Sequence, residues 1–373
     1  GRVRLGSGDE YDSALTYSDQ LLDGKLGVVA QGSYYEREMA TDNWETDPYL
    51  TNTINPDKHF AREHENKHYR LTRQNYSASL RFDYRLDDNN TLFASTINTM
   101  FHDDELRDNF IIRFDQGTDA AGNGYTSAAY INGNDPVNGT SFGSRINARI
   151  DYRDTEEYAT THTFGGEHSV NEWDVSWRLN RTMTDDGRNT PVSAAFQSPS
   201  SFLLRPTMEY DFRDGNVNTM RFFTTGGATA ARTKGAQITN IEDFQFPMQS
   251  ISQLEGSDRT VADTYKLDLD HEMELFGLST KVELGGLYTD RTKRSAESNF
   301  LRNYTTGTIP TWATFATNTG YLGTQDLNYK FRYTDQDFTT NFMNSLIADG
   351  TATALDTSLA TEPAYWKVIS KDR

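Results

Sequence analysis

The sequence predicts an all-β protein, an antiparallel transmembrane β-barrel with short periplasmic turns and long extracellular loops. Three observations carry this expectation. Apolar and polar residues alternate with period two in paired segments. Tight turns alternate with long polar connections along the chain. The composition also suits half-buried strands: the aromatic fraction is 12%, with 20 Tyr and 21 Phe against 5 Trp.

The strand pairs are expected at about 11–38, 70–110, 146–185 and 259–294. In the first, YDSALTYSDQLL and KLGVVAQGSYYER flank Asp23-Gly24, a favoured hairpin dipeptide, and Leu26, Val28, Ala30, Gly32 and Tyr34 mark one face. The second holds the clearest strand, in which Tyr76, Ala78, Leu80, Phe82, Tyr84 and Leu86 alternate with Ser77, Ser79, Arg81, Asp83 and Arg85. After LDDNN a weaker alternation continues through Phe93, Ile97 and Phe101. The third pair turns at Ser169 to Asn171, and Trp173, Val175, Trp177 and Leu179 form its face. The fourth joins Tyr265, Leu267 and Leu269 to Val282, Leu284, Gly286 and Tyr288 through ELFG. On the alternate faces Arg81, Asp83, Arg178, Lys266 and Asp268 are expected to look into a wet lumen.

Between the pairs, the stretches of roughly 39–68, 115–145, 185–259 and 293 to the end are polar and read as irregular loops. Compact soluble domains rarely carry several connections of that length, and sandwiches space their strands more evenly. The first strand descends into its turn and the last ascends from one, which puts both chain ends on the loop side. Barrels of this kind normally begin and end on the turn side, so the chain is expected to be a fragment lacking at least one strand at each end. Gly1 opens no signal peptide.

Bulk properties narrow the function. A hydrophobic fraction of 35% and a mean hydropathy of −0.74 are low for a globular chain of 373 residues, whereas a barrel needs only every second strand residue apolar. Lys+Arg 36 against Asp+Glu 54 gives a net charge of −18, which argues against nucleic acid as a partner. The absence of cysteine removes disulfides, thiolate metal sites and Cys nucleophiles. No apolar run reaches 18 residues, so any span must be made of strands.

The motif with the strongest catalytic look is His64-Glu65-Asn66-Lys67-His68, which matches HExxH. In zinc proteases that spacing puts two His on one helix face beside a general-base Glu. Here the flanks are highly charged and the segment leads into the best strand, so a chance match in a polar extracellular loop is expected. The carboxylate groups Asp103-Asp104-Glu105, Glu156-Glu157 and Asp185-Asp186 are read as solvated outer ends of strands rather than acid and base pairs. The run from Asp115 to Gly124 lacks EF-hand spacing. Loop aromatics are better binding candidates because sugar faces stack on rings: Trp44, Tyr49, Tyr125, Tyr130, Phe142, Trp312, Phe315, Tyr321, Tyr329, Phe331 and Tyr333. The bland alternative is that they pack the loops together or form an interfacial girdle. No catalytic set and no cofactor are expected.

The runs DGKLGVVAQGSYYER, SLRFDYRLDDNNTLFAS with FHDDELRD, TFGGEHSVNEWDVSWRLNRT and KVELGGLYTDRTKR resemble barrel hairpins of TonB-dependent receptors, closest to the long-looped subgroup often linked to carbohydrate uptake. The resemblance covers the strands from about Tyr11 to Arg294. It implies part of a 22-stranded barrel around an N-terminal plug in the outer membrane of a Gram-negative bacterium. Such a receptor captures a scarce solute outside, with oligosaccharide favoured and ferric siderophore next, and passes it inward using the TonB complex. The expected partners are outer-membrane lipid, a small extracellular solute, and TonB through an N-terminal region that these residues do not contain. The rival expectation is a secreted all-β protein that binds or cleaves carbohydrate. Burial separates the two, since its apolar strand faces would pack against a second sheet.

Overall fold

The computed structural model describes residues 8–51, 59–125, 137–214, 219–320, 330–355 and 367–372, with the side chains at 44, 46–51, 59, 60 and 367–372 excepted. The strands are β1 (Glu10–Leu21), β2 (Leu26–Thr51), β3 (His59–Asp87), β4 (Asn90–Arg113), β5 (Asn138–Ser141), β6 (Arg145–Val170), β7 (Trp173–Gln197) and β8 (Thr207–Asp211). They continue with β9 (Thr219–Ala228), β10 (Ala231–Ile238), β11 (Met248–Leu275), β12 (Leu278–Asn303), β13 (Ala316–Gly320), β14 (Arg332–Thr334), β15 (Thr353–Ala354) and β16 (Lys367–Asp372). Two helices follow β12: α1 (Trp312–Phe315), and α2 (Gln336–Ala348), whose first turn is capped by Asp335 accepting from the Phe338 amide at 2.9 Å.

The long strands form one antiparallel sheet in the order β1-β2-β3-β4-β6-β7-β11-β12, extended by β15 and β16 on the outer part of β12. Among the described residues the sheet is not closed: β1 pairs only with β2, and β12 from Leu278 to Asp290 has a partner only in β11. Its hairpin tips are tight. Phe276 and Gly277 both take positive φ (55° and 79°), as a two-residue turn matched to strand twist demands. At the first tip the expected two-residue Asp23-Gly24 turn widens to Leu22–Lys25, closed by the Lys25 amide on the Leu22 carbonyl at 3.1 Å.

Successive tips are offset in one direction. Leu26 lies opposite Tyr84, three residues above Asp87. Asn90 lies opposite His168, two above Val170, and Trp173 opposite His271, four above Leu275. A one-way stagger of this kind tilts strands, as barrel walls require.

Each pair of strands is longer than the sequence pattern indicates. The supposed loop of 39–68 is mostly strand, because β2 runs to Thr51 and β3 starts at His59. Similarly β7 continues to Gln197, β11 starts at Met248 and β12 runs to Asn303. At ~3.3 Å per residue, the 29 residues of β3 extend far beyond the 9–11 residues that cross a bilayer. The intervening segments are not irregular either: β10-β9-β8-β5 form a four-stranded sheet and β13 pairs with β14.

Opposite partners in an antiparallel ladder share a side, so the register assigns every strand residue to one of two faces. One face carries the row Tyr34, Tyr76, Met100 and Tyr158, and nearer the tips Val28, Phe82, Ala94, Phe164, Leu179 and Tyr265. Most of these large apolar side chains are exposed, Phe164 to 45% and Leu284 to 57%, and no second sheet covers them among the described residues. The same face, ten residues further out on β4, is fully buried.

There the row Asn66, Phe110, Ala148, Phe196 and Met248 meets an outer layer made of the small sheet, α1, β14 and α2. Phe110 stands at the centre, with ring centroids 4.6 Å from Trp312, 4.4 Å from Phe331 and 6.4 Å from Phe246. Phe342 and Phe338 of α2 reach Phe315 at 5.2 and 5.9 Å.

Candidate functional site

Alternation does the positioning on the opposite face. Asp83, Phe93, Gly165, Arg178 and Lys266 form one row across five strands, with Arg81 and Asp268 on the rows to either side. All five residues expected to face a lumen therefore share a side, opposite the apolar band. The charges are locally paired: Arg81 forks onto Asp83 at 2.6–3.1 Å, and Lys266 holds Asp268 at 2.6 Å. The Arg81 and Arg178 guanidiniums lie 5.0 and 5.7 Å from the Phe93 ring. That ring occupies the notch left by Gly165, where an added Cβ would come within 2.4 Å of it. Val29, Ile97 and Leu287 are apolar exceptions on this side.

Level with the tyrosine row, the polar face opens into a groove of about 560 Å³ lined by Ser33, Asn75, Ser77, Phe101, Glu157 and Asp186. The Ser33 and Ser77 hydroxyls bond at 2.8 Å, and the Phe101 ring is backed by Arg73 at 5.6 Å. Glu157 and Asp186 stand directly opposite each other on β6 and β7. One buried Asp186 carboxylate oxygen, Oδ1, has no hydrogen-bond partner. Two carboxylates in this register repel unless a donor or cation lies between them. Hydroxyls, a ring edge and unsatisfied acceptors in one groove can bind a polyhydroxylated solute.

The expected aromatic binding residues have a different environment. Trp312, Phe315, Phe331, Tyr333 and Tyr125 are buried in the core, and their ring faces are taken by neighbours. Trp312 donates its indole N–H to the Arg332 carbonyl at 3.1 Å, and the Tyr125 hydroxyl reaches the Ala61 carbonyl at 2.5 Å. Packing therefore claims these side chains, as the girdle-or-packing alternative anticipates. Phe142 is half-buried. Trp44 and Tyr49 lie on β2 with side chains outside the described residues, and Tyr130, Tyr321 and Tyr329 lie wholly outside them.

The HExxH segment lies in β3 rather than in a loop. In a strand its two histidines share a face but stand ~13 Å apart, too far for one zinc ion, and Glu65 points to the other side, paired with Lys67 at 2.8 Å. His64 and His68 are instead packing residues. His68 stacks on Tyr333 at 4.0 Å and contacts Asp42 at 2.7 Å through Nδ1. His64 sits edge-on between Phe212 and Phe114 at 4.5 and 5.2 Å.

Burial pushes the His64 imidazole down to about 4. The neutral form is thus favoured on folding, and its stability contribution is complete above the ordinary 6.5 and declines as pH falls from there towards 4. The shift corresponds to roughly 3 kcal/mol in full, and about 2 of it is lost by pH 5. Denaturant titrations at pH 7.5 and 5 should reveal that loss in the wild type, and H64L should flatten the slope between them. Equal pH slopes in the two proteins would refute the assignment.

Deeper in the same layer a carboxylate that the sequence pattern does not mark ties two distant segments together. Asp108 is fully buried and accepts from the Thr334 amide at 2.9 Å, from the Thr334 hydroxyl, and from Arg70 at 3.3 Å. Burial raises its carboxyl, and Arg70 and Thr334 oppose that shift. Beside it, Arg332 forks onto Glu242 at 3.0–3.1 Å, which fixes β14 against the turn that precedes β11.

Comparison with protein-family models, with characterised proteins and with solved structures returned no match for this chain. Fold and site define an all-β protein built on an antiparallel sheet that is open among the described residues, apolar on one face near its tips and predominantly polar on the other.

Proposed function

We propose that the tip-proximal part of the sheet is the wall of an outer-membrane β-barrel, that its polar face lines the passage, and that a solute enters past the Glu157–Asp186 groove. The observation that carries this reading is the two-faced band itself. From Tyr76 to Leu86 eleven residues alternate, which suits one bilayer crossing, and among the described residues no second layer covers their apolar side chains. A soluble sandwich would bury them. The tyrosine row marks the outer interface.

The solute we favour is an oligosaccharide, because the groove offers hydroxyls and carboxylate acceptors. Resemblance of the hairpins to TonB-dependent receptors extends the proposal to energised uptake, with TonB as partner through residues beyond these. The protein is then a transporter rather than an enzyme.

The absence of cysteine makes a direct test simple. Single cysteines at positions 80 to 85, carrying an environment-sensitive fluorophore, are expected to alternate after reconstitution into vesicles. Those at Leu80, Phe82 and Tyr84 should be quenched by lipid-borne quenchers and those at Arg81, Asp83 and Arg85 by aqueous iodide. Uniform aqueous quenching would sink the membrane reading.

A further inference from the structure

We propose that His102, Asp154 and Glu156 bind one divalent transition-metal ion on the face opposite the groove, just beyond the tyrosine row. The three lie on adjacent strands: His102 of β4 is directly opposite Glu156 of β6, and Asp154 is two residues along. One donor atom from each falls within 4.8 Å of the others. All three side chains are half-buried, and the proposal stands independently of the membrane reading.

The hydrogen-bond network around His102 dictates the state of the ring. Gln74 donates its amide nitrogen to Glu36 at 2.6 Å, which turns its amide oxygen towards His102 Nδ1, 3.3 Å away. Only a donor can sit opposite that oxygen, so Nδ1 carries the proton. His102 Nε2, left with a lone pair, then faces an Asp154 carboxylate oxygen at 2.8 Å. Two acceptors at that distance repel unless a proton or a metal ion stands between or beside them.

Negative charge is concentrated around the three: Asp104 stands directly opposite Asp154, and Glu156 follows two residues later. Among the described residues no lysine or arginine pairs with Asp154 or Glu156. A divalent ion bound to Asp154 and Glu156 balances their two negative charges.

The donor set also selects the ion. One imidazole nitrogen with two carboxylate oxygens suits Zn²⁺, Mn²⁺ or Fe²⁺ better than a soft ion. The outward-facing nitrogen bonded to Gln74 is the orienting contact that metal-bound imidazoles normally make. An ion ~2.1 Å from each donor keeps donors at most about 4.2 Å apart, so the side chains close by a fraction of an ångström on binding. Three protein ligands leave a coordination position open to water or an external oxygen.

Titration of the purified chain with Zn²⁺, and with Co²⁺ for its visible absorption, is expected to give one equivalent bound. His102→Ala and Glu156→Gln should each weaken binding by about tenfold or more, and His162→Ala, on the same face of β6, should leave it unchanged. Circular dichroism checks that each variant folds. Failure of the parent chain to bind at millimolar Zn²⁺ would overturn the proposal, as would full affinity in either ligand variant.

Discussion

Replacing Phe110 by alanine is expected to destabilise the outer layer by about 3–5 kcal/mol, the range for removing a buried aromatic side chain. The ring is 0% exposed and is the shared contact of Trp312, Phe331 and Phe246, which arrive from three separate segments of the chain. Collapse into the space is restricted because the neighbours are held: Trp312 through its indole bond to the Arg332 carbonyl, Phe331 by the Arg332–Glu242 fork next to it in sequence, and Phe246 through its carbonyl, which accepts from the Trp312 amide at 3.3 Å. The cost should therefore fall at the upper end of that range. Phe82→Ala, on the exposed band of β3, is expected to cost under about 1 kcal/mol in aqueous solution. Denaturant midpoints of the two variants compare the layers directly, and equal losses would show that the outer layer is not a packed core.

Asp108→Ala should cost about 3 kcal/mol for a different reason. Its carboxylate is the acceptor for the Thr334 amide and hydroxyl, and Thr334 is 0% exposed. Each donor left without a partner costs about 1–3 kcal/mol. Arg70 contributes less, since its side chain is 28% exposed and water can replace the lost partner. Asp108→Asn keeps one acceptor and should lose about half as much. Limited proteolysis gives the spatial readout: cleavage near β14 and α2 should accelerate before the β3–β4 ladder opens. Simultaneous cleavage of both regions would contradict a local role for Asp108.

Much of the sheet was legible because its signal is local. Tyr76 to Leu86 reads as a strand without reference to any partner, and positive-φ residues mark the tips at Gly24, Asn171 and Gly277. The outer half of β3 was not legible. In REHENKHYR the buried face consists of His64, Asn66 and His68, and their surroundings come from distant segments: Asp42 and Tyr333 around His68, Phe114 and Phe212 around His64.

The buried aromatics fail for a related reason. Composition identifies Trp312 and Tyr333 as unusual in a polar stretch, yet whether a ring meets protein or ligand is decided by what folds over it. The Glu157–Asp186 pair depends on register carried unbroken from the Val170–Trp173 tip, and neither residue carries a local sign of that pairing.

The free side of β1 has a consequence for the order of events in assembly. All twelve residues of β1 are exposed, and among the described residues alternate backbone groups along that side have no ladder partner, about six residues' worth. In water they are solvated at little cost. In hydrocarbon each unsatisfied group costs several kcal/mol, a total of tens of kcal/mol. On the membrane reading proposed above, insertion has to wait for that side to be hydrogen-bonded, so seam formation, rather than attraction of apolar side chains to lipid, would be the committing step.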